Sequence, residues 1–168
     1  FKIEYIIIHY TAMSTYQEAI DHLCSTKTKV SAHFLISKLG NIFNLVNIKF
    51  RAWHAGNSNW NENYDINSSS IGIEIGNSGH HINFENYTFK QIQSLIKLLT
   101  YLKKKYKIKS NNILCHSDIA PLRKIDPGEK FPWEFLSMKK IGIWHDFKSN
   151  FLIKYRKLKV SKREVKKF

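Results

Sequence analysis

The segment from Lys2 to Ile8 ends in Ile6, Ile7 and Ile8, three consecutive β-branched residues. That pattern predicts a strand covered on both faces. His9 follows at its end. Over residues 15–24 the apolar period lengthens: Tyr16, Ile20, Leu23 and Cys24 recur at helical spacing. Thr15-Tyr16-Gln17-Glu18 before them fits a capping box. Val30 to Ile36 and Ile42 to Val46 read as the strands of a hairpin around Lys38-Leu39-Gly40-Asn41. Residues 57–70 are rich in Asn and Ser and read as a loop.

The next apolar segment, Ser70 to Asn77, alternates. Ile71, Ile73 and Ile75 fall on one face; Gly72, Glu74 and Gly76 fall on the other. Thr88-Phe89-Lys90-Gln91 repeats the capping-box signature and opens the longest helix, to about Tyr106. Its predicted buried stripe is Phe89, Ile92, Leu95, Ile96, Leu99 and Leu102. Lysines 103–105 sit where the helix dipole favours cations. Asn112 to Cys115 is a further strand, and a short helix follows Trp133 to about Lys140. Strands interleaved with helices predict an α/β domain with a central mixed sheet flanked by helices. Residues 1–146 form that domain, and 147–168 are a basic tail or the start of an extension.

Composition narrows the partners. The 168 residues carry a net charge of +14. Eight Lys/Arg against one Asp/Glu lie in residues 151–168. Such a surface suits an anionic polymer or an acidic membrane. No apolar run reaches transmembrane length. The chain opens at Phe1, and no signal peptide is visible. Cys24 and Cys115 are too few for a disulfide framework or a four-Cys metal site, and they are expected as buried free thiols.

Chemistry gathers after the Ile113-Leu114 run, in His116-Ser117-Asp118-Ile119-Ala120-Pro121-Leu122-Arg123-Lys124-Ile125-Asp126-Pro127-Gly128. Loops leaving strand ends are where folds place function. His9, His116 and Asp126 come from separate segments, and two imidazoles with one carboxylate make a catalytic zinc shell. Glu74, on a strand between two glycines, is the candidate general base. Lys124 could stabilise developing negative charge. Trp53-His54-Ala55-Gly56 suggests the floor of a substrate groove. Taken singly, a histidine at a strand end is more often a packed residue than a ligand. No Walker motif, dinucleotide fingerprint or Gly-x-Ser-x-Gly elbow competes.

The ordered blocks carry more than their parts. Ile8-His9-Tyr10-Thr11-Ala12, Val30-Ser31-Ala32-His33-Phe34, Trp53-His54-Ala55-Gly56, Ser70-Ile71-Gly72-Ile73-Glu74, His116-Ser117-Asp118-Ile119-Ala120-Pro121, Arg123-Lys124-Ile125-Asp126-Pro127-Gly128 and Phe131-Pro132-Trp133 occur in this sequence. Together they resemble the zinc-dependent N-acetylmuramoyl-L-alanine amidases of the amidase-2 family, over roughly residues 3–146. The resemblance implies a fold shared with peptidoglycan-recognition proteins. It implies one Zn2+ per chain on His9, His116 and Asp126, with Glu74 and Lys124 catalytic. Trp53, His54, Ala55, Gly56 and His33 would contact substrate. The implied reaction cleaves the amide between N-acetylmuramic acid, or its 1,6-anhydro form, and L-alanine of the stem peptide. The alternative is a peptidoglycan-binding protein of the same fold without catalysis. Ile141-Gly142-Ile143-Trp144 looks most like the AmiD branch, which favours the bacterial envelope or periplasm over the cytoplasm. No specific nucleic acid is expected as a partner. Leu122 departs from the family, which often has Gly there.

Overall fold

The structure is a computed structural model and describes residues 2–146. Five strands form one sheet in the order β3-β2-β4-β1-β5. They are β1 (Tyr5–Tyr10), β2 (Phe34–Ile36), β3 (Ile42–Asn44), β4 (Ser70–Ile75) and β5 (Ile113–Cys115). β4 is parallel to β2 and β1, β1 is parallel to β5, and only β3 runs antiparallel. The central pair is covered on both faces, so its run of isoleucines needs no alternation. Ile6, Ile7 and Ile8 are fully buried, each contributing about 1.5–3 kcal/mol by leaving water.

Helix α3 (Phe89–Tyr106) covers one face through Ile92, Leu95, Leu99 and Leu102, packed on Ile6, Ile8, Ile73 and Ile75. Both predicted capping boxes form, at Thr15 and at Thr88. On the other face α1 (Tyr16–Cys24) sets Ala19 and Leu23 against Leu35. Beside them Tyr5, Ile7 and Leu114 pack with Ala55 and Ile66. Short helices α2 (Ile66–Ser69), α4 (His116–Ile119) and α5 (Trp133–Met138) complete the described chain.

Four sequence expectations need correction. Phe89 is 73% exposed, because it is the first residue of α3 and points away from the sheet; Leu98 is buried on the inner side instead. Val30 to His33 is extended but outside the ladder, and β2 begins at Phe34. The expected loop over 57–70 contains α2 at its end. Cys24 is exposed at the end of α1, whereas Cys115 is buried. Burial, and next the charge of Asp118, push the Cys115 thiol up to about 12, which leaves it unreactive. The tail from residue 147 lies outside the described residues.

Candidate metal and catalytic site

Parallel strands end together, and open α/β sheets bind ligands beyond those carboxyl ends. Here the register sets His9 of β1 directly beside Glu74 of β4. On the other flank Ile8 pairs with Cys115, so His116 leaves β5 level with His9. Asp126 arrives from the loop after α4, held by a hydrogen bond from the Ser117 N–H to its carbonyl at 3.1 Å. Three strands and one loop thus bring together residues separated by up to 117 positions.

His9 Nδ1, His116 Nδ1 and Asp126 Oδ2 form a triangle. Its edges are 2.9 Å between the imidazoles and 3.2 and 3.1 Å from them to the carboxylate. All three residues are buried. A tetrahedral ion with bonds of about 2.0–2.2 Å spaces its ligands roughly 3.3–3.6 Å apart. The triangle therefore fits such an ion after each atom moves outward by a few tenths of an ångström.

Proton placement supports the same reading. His116 Nε2 lies 3.0 Å from the Ala55 carbonyl, which can only accept, so that nitrogen donates. A neutral His116 then turns a lone pair of Nδ1 into the triangle. His9 Nε2 is engaged by His54 Nδ1 at 3.0 Å, again leaving Nδ1 facing inward. Burial, and next the neighbouring His116, lower the His9 pKa to about 4, so its ring is neutral near pH 7. Two imidazole lone pairs facing a buried carboxylate repel one another unless a cation sits among them.

Glu74 stands at the edge of this triangle. Its Oε2 is buried and has no hydrogen-bond partner among the described residues. Burial raises its carboxyl well above the ordinary value, the charge of Asp126 adds to the rise, and Lys124 opposes it. Glu74, Lys124 and the three candidate ligands line one cleft of about 200 Å³. Trp53 is at its mouth, 54% exposed, with the Arg51 guanidinium 4.1 Å from its ring centroid.

The remaining candidates are placed differently from expectation. His54 borders the cleft but is buried behind His9. Ala55 and Gly56 do not line the cleft; Ala55 contributes its carbonyl to His116 and to Arg123 Nη2, at 3.0 and 2.8 Å. His33 is likewise outside the cleft. Its Nδ1 accepts from the Gly72 N–H and its Nε2 donates to the Phe50 carbonyl, so both nitrogens tie backbone segments together. Gly72 of β4 lies against the His54 ring. A Cβ there would lie 2.3 Å from Cγ of His54, so the space beside the strand holds a side chain of this protein rather than a ligand.

Two supporting residues escaped the sequence reading. Asn67 Oδ1 accepts from the N–H groups of His54 and Ala55 at 3.0 and 2.8 Å. Arg123 reaches the Ala55 and Asn57 carbonyls, both at 2.8 Å. Together they hold the 53–57 loop in place. Nothing in the sequence pattern marked either of them.

Residues 1–129 match the family model of N-acetylmuramoyl-L-alanine amidase, Amidase_2. The chain is 38% identical to N-acetylmuramoyl-L-alanine amidase AmiD of Escherichia coli K12, across 86% of this chain and 56% of that protein. It is 45% identical to 1,6-anhydro-N-acetylmuramyl-L-alanine amidase AmpD of Haemophilus influenzae, across 67% of this chain and 60% of that protein. The chain thus spans little more than half the length of these curated relatives. Among solved structures, E. coli AmiD in complex with anhydro-N-acetylmuramic acid-L-Ala-D-γ-Glu-L-Lys superposes with a TM-score of 0.80 at 36% identity, covering 86% of this chain and 60% of that one. AmpDh3 of Pseudomonas aeruginosa, in complex with anhydromuramic pentapeptide, gives 0.81 at 31% identity, covering 99% of this chain and 72% of that one.

Proposed function

Because this chain belongs to the N-acetylmuramoyl-L-alanine amidase family, we propose that it hydrolyses the amide joining N-acetylmuramic acid, or its 1,6-anhydro form, to L-alanine of the stem peptide. The observation that carries this is the convergence of His9, His116 and Asp126 beside a buried, unpartnered carboxylate oxygen of Glu74. The anhydromuramyl peptides held by the AmiD and AmpDh3 structures support the substrate class.

His9 Nδ1, His116 Nδ1 and Asp126 Oδ2 would hold one Zn2+ per chain. When bound, that ion supplies Lewis acidity toward the scissile carbonyl and toward water. Glu74 accepts the proton of the attacking water and returns it to the departing nitrogen. Both halves need a carboxyl poised between its two forms. Burial and next the Asp126 charge favour the acid form of Glu74, and the Lys124 charge opposes them. The Lys124 ammonium offsets negative charge as the carbonyl carbon becomes tetrahedral. Trp53 offers an exposed aromatic face at the cleft mouth for the sugar or peptide.

A peptidoglycan-binding protein without catalysis would have no use for the full set of ligands plus Glu74. The bacterial envelope is the expected site of action. No helix among the described residues is long and apolar enough to cross a membrane.

The test is release of stem peptide bearing L-alanine at its N-terminus, from an anhydro-muropeptide and from intact sacculi, with and without chelator. Chelator-sensitive release is expected, and the better substrate separates turnover of fragments from remodelling of the wall. No release from either, with one zinc bound per chain, would overturn the proposal.

A further inference from the structure

We propose that His54 is a positioning residue for the metal, fixing which nitrogen of His9 faces the ion through a one-way relay that starts at the Ile66 carbonyl. The inference rests on the reading of His9, His116 and Asp126 as metal ligands.

The direction of the relay follows from its first member. The Ile66 carbonyl can only accept, and Ser70 Oγ lies 2.6 Å from it, so the Ser70 hydroxyl proton points there. That leaves Ser70 Oγ as an acceptor toward His54 Nε2 at 3.2 Å. His54 Nε2 therefore carries the proton, and Nδ1 of the neutral ring carries a lone pair. His54 Nδ1 in turn lies 3.0 Å from His9 Nε2, which must donate. The remaining lone pair of His9 is on Nδ1, the atom that faces His116 and Asp126. Four groups thus share one proton order, dictated by a backbone carbonyl of α2.

The surroundings hold the His54 ring in this pose. Its backbone N–H is fixed by Asn67 at 3.0 Å, and the absent side chain of Gly72 makes room for the ring. Metal-binding histidines commonly anchor their distal nitrogen on a carboxylate, carbonyl or water. Here the anchor is a second histidine, which can accept at one edge only because it donates at the other.

Two near-isosteric variants separate positioning from packing. In His54→Asn the amide oxygen replaces Nδ1 as acceptor. In His54→Gln the amide reaches the Nε2 position and leaves nothing at Nδ1. Zinc affinity of the full chain, by competition with a chromophoric chelator, should stay within about threefold of wild type for H54N. It should fall about 10- to 100-fold for H54Q. Thermal stability of each metal-free protein is measured alongside. Affinities that match wild type in both variants, or that fall equally and track lost stability, would overturn the assignment.

If either variant fails to fold, nitrogen-15 NMR of the zinc-loaded wild type decides. Protonation of His9 at Nε2 with coupling to His54 supports the relay, and protonation at Nδ1 overturns it. A wild-type chain that takes up no zinc would overturn the amidase reading together with this one. Equal zinc affinity in wild type and H54Q overturns this one alone.

Discussion

The metal-free protein should be most stable near pH 6.5 and should lose stability as the pH falls from there. His9, His33 and His54 are buried and all have lowered pKa values, His9 to about 4. In the unfolded chain each takes up a proton near 6.5. Between those values the unfolded state binds more protons, so acid favours unfolding by up to about 1.4 kcal/mol per pH unit for each histidine. His9 alone would remove roughly 3 kcal/mol by pH 4. Glu74 works the other way. Its folded pKa is raised, so the folded state binds the extra proton above the ordinary carboxylate value and gains stability as the pH falls toward it. Three histidines against one carboxyl leave a net uptake of up to two protons on unfolding, or about 1–3 kcal/mol per pH unit from 6.5 to 4.5. Against a typical total of about 5–15 kcal/mol that loss is large. Urea unfolding in chelator at pH 7.5, 6.5, 5.5 and 4.5, followed by tryptophan fluorescence, measures it. The variant Glu74→Gln removes the opposing group and should steepen the acid limb by about 1.4 kcal/mol per pH unit. A stability that stays level or rises from pH 6.5 to 4.5 in the wild type would refute the reasoning.

Glu74→Gln should also keep zinc, measured by metal analysis, while kcat on a muropeptide falls about 10²- to 10⁴-fold; full activity would remove the proton-transfer role. His116→Ala should lose zinc and activity together, by the same two assays. Leu99→Ala, in the centre of the α3 contact, should cost about 2–5 kcal/mol in urea unfolding. Deleting residues 151–168 should weaken sedimentation with purified cell wall if the eight basic residues there hold anionic polymer; unchanged sedimentation would remove that role.

His9, Glu74 and His116 were legible in the sequence for one physical reason. Each stands in or just beyond an apolar run with the period of a strand, and parallel strands deliver their ends to one edge. Asp126 and Lys124 were legible through the blocks around them, since no periodicity reaches into that loop. The sheet and α3 were legible because burial on two faces and on one stripe leaves distinct patterns. The strand boundary at Phe34 was not, because extended backbone outside a ladder has the same apolar content as backbone inside it. Helix α2 has four residues, too few to show a helical period. Phe89 shows the limit at a helix start, where one turn of periodicity does not say which side meets the sheet.

Gly72 shows a subtler limit. Its place in a central strand signalled that something comes close, but the pattern could not say what. The structure puts the His54 ring there, with Cγ, Cδ2 and Nδ1 at 2.3, 2.4 and 2.7 Å from where a Cβ would stand. Ordinary contact begins near 3.4 Å, so an alanine must displace that ring by about 1 Å, with an overpacking cost of typically 1–3 kcal/mol. The displaced atom is Nδ1, the one that meets His9 at 3.0 Å. Gly72→Ala should therefore copy His54→Gln: zinc affinity by chelator competition falls about 10- to 100-fold. Combining the two substitutions should add little to either, because both remove one acceptor from His9. A double variant whose loss is the product of the two single losses would mean that Gly72 acts on the metal by a route that does not pass through His54.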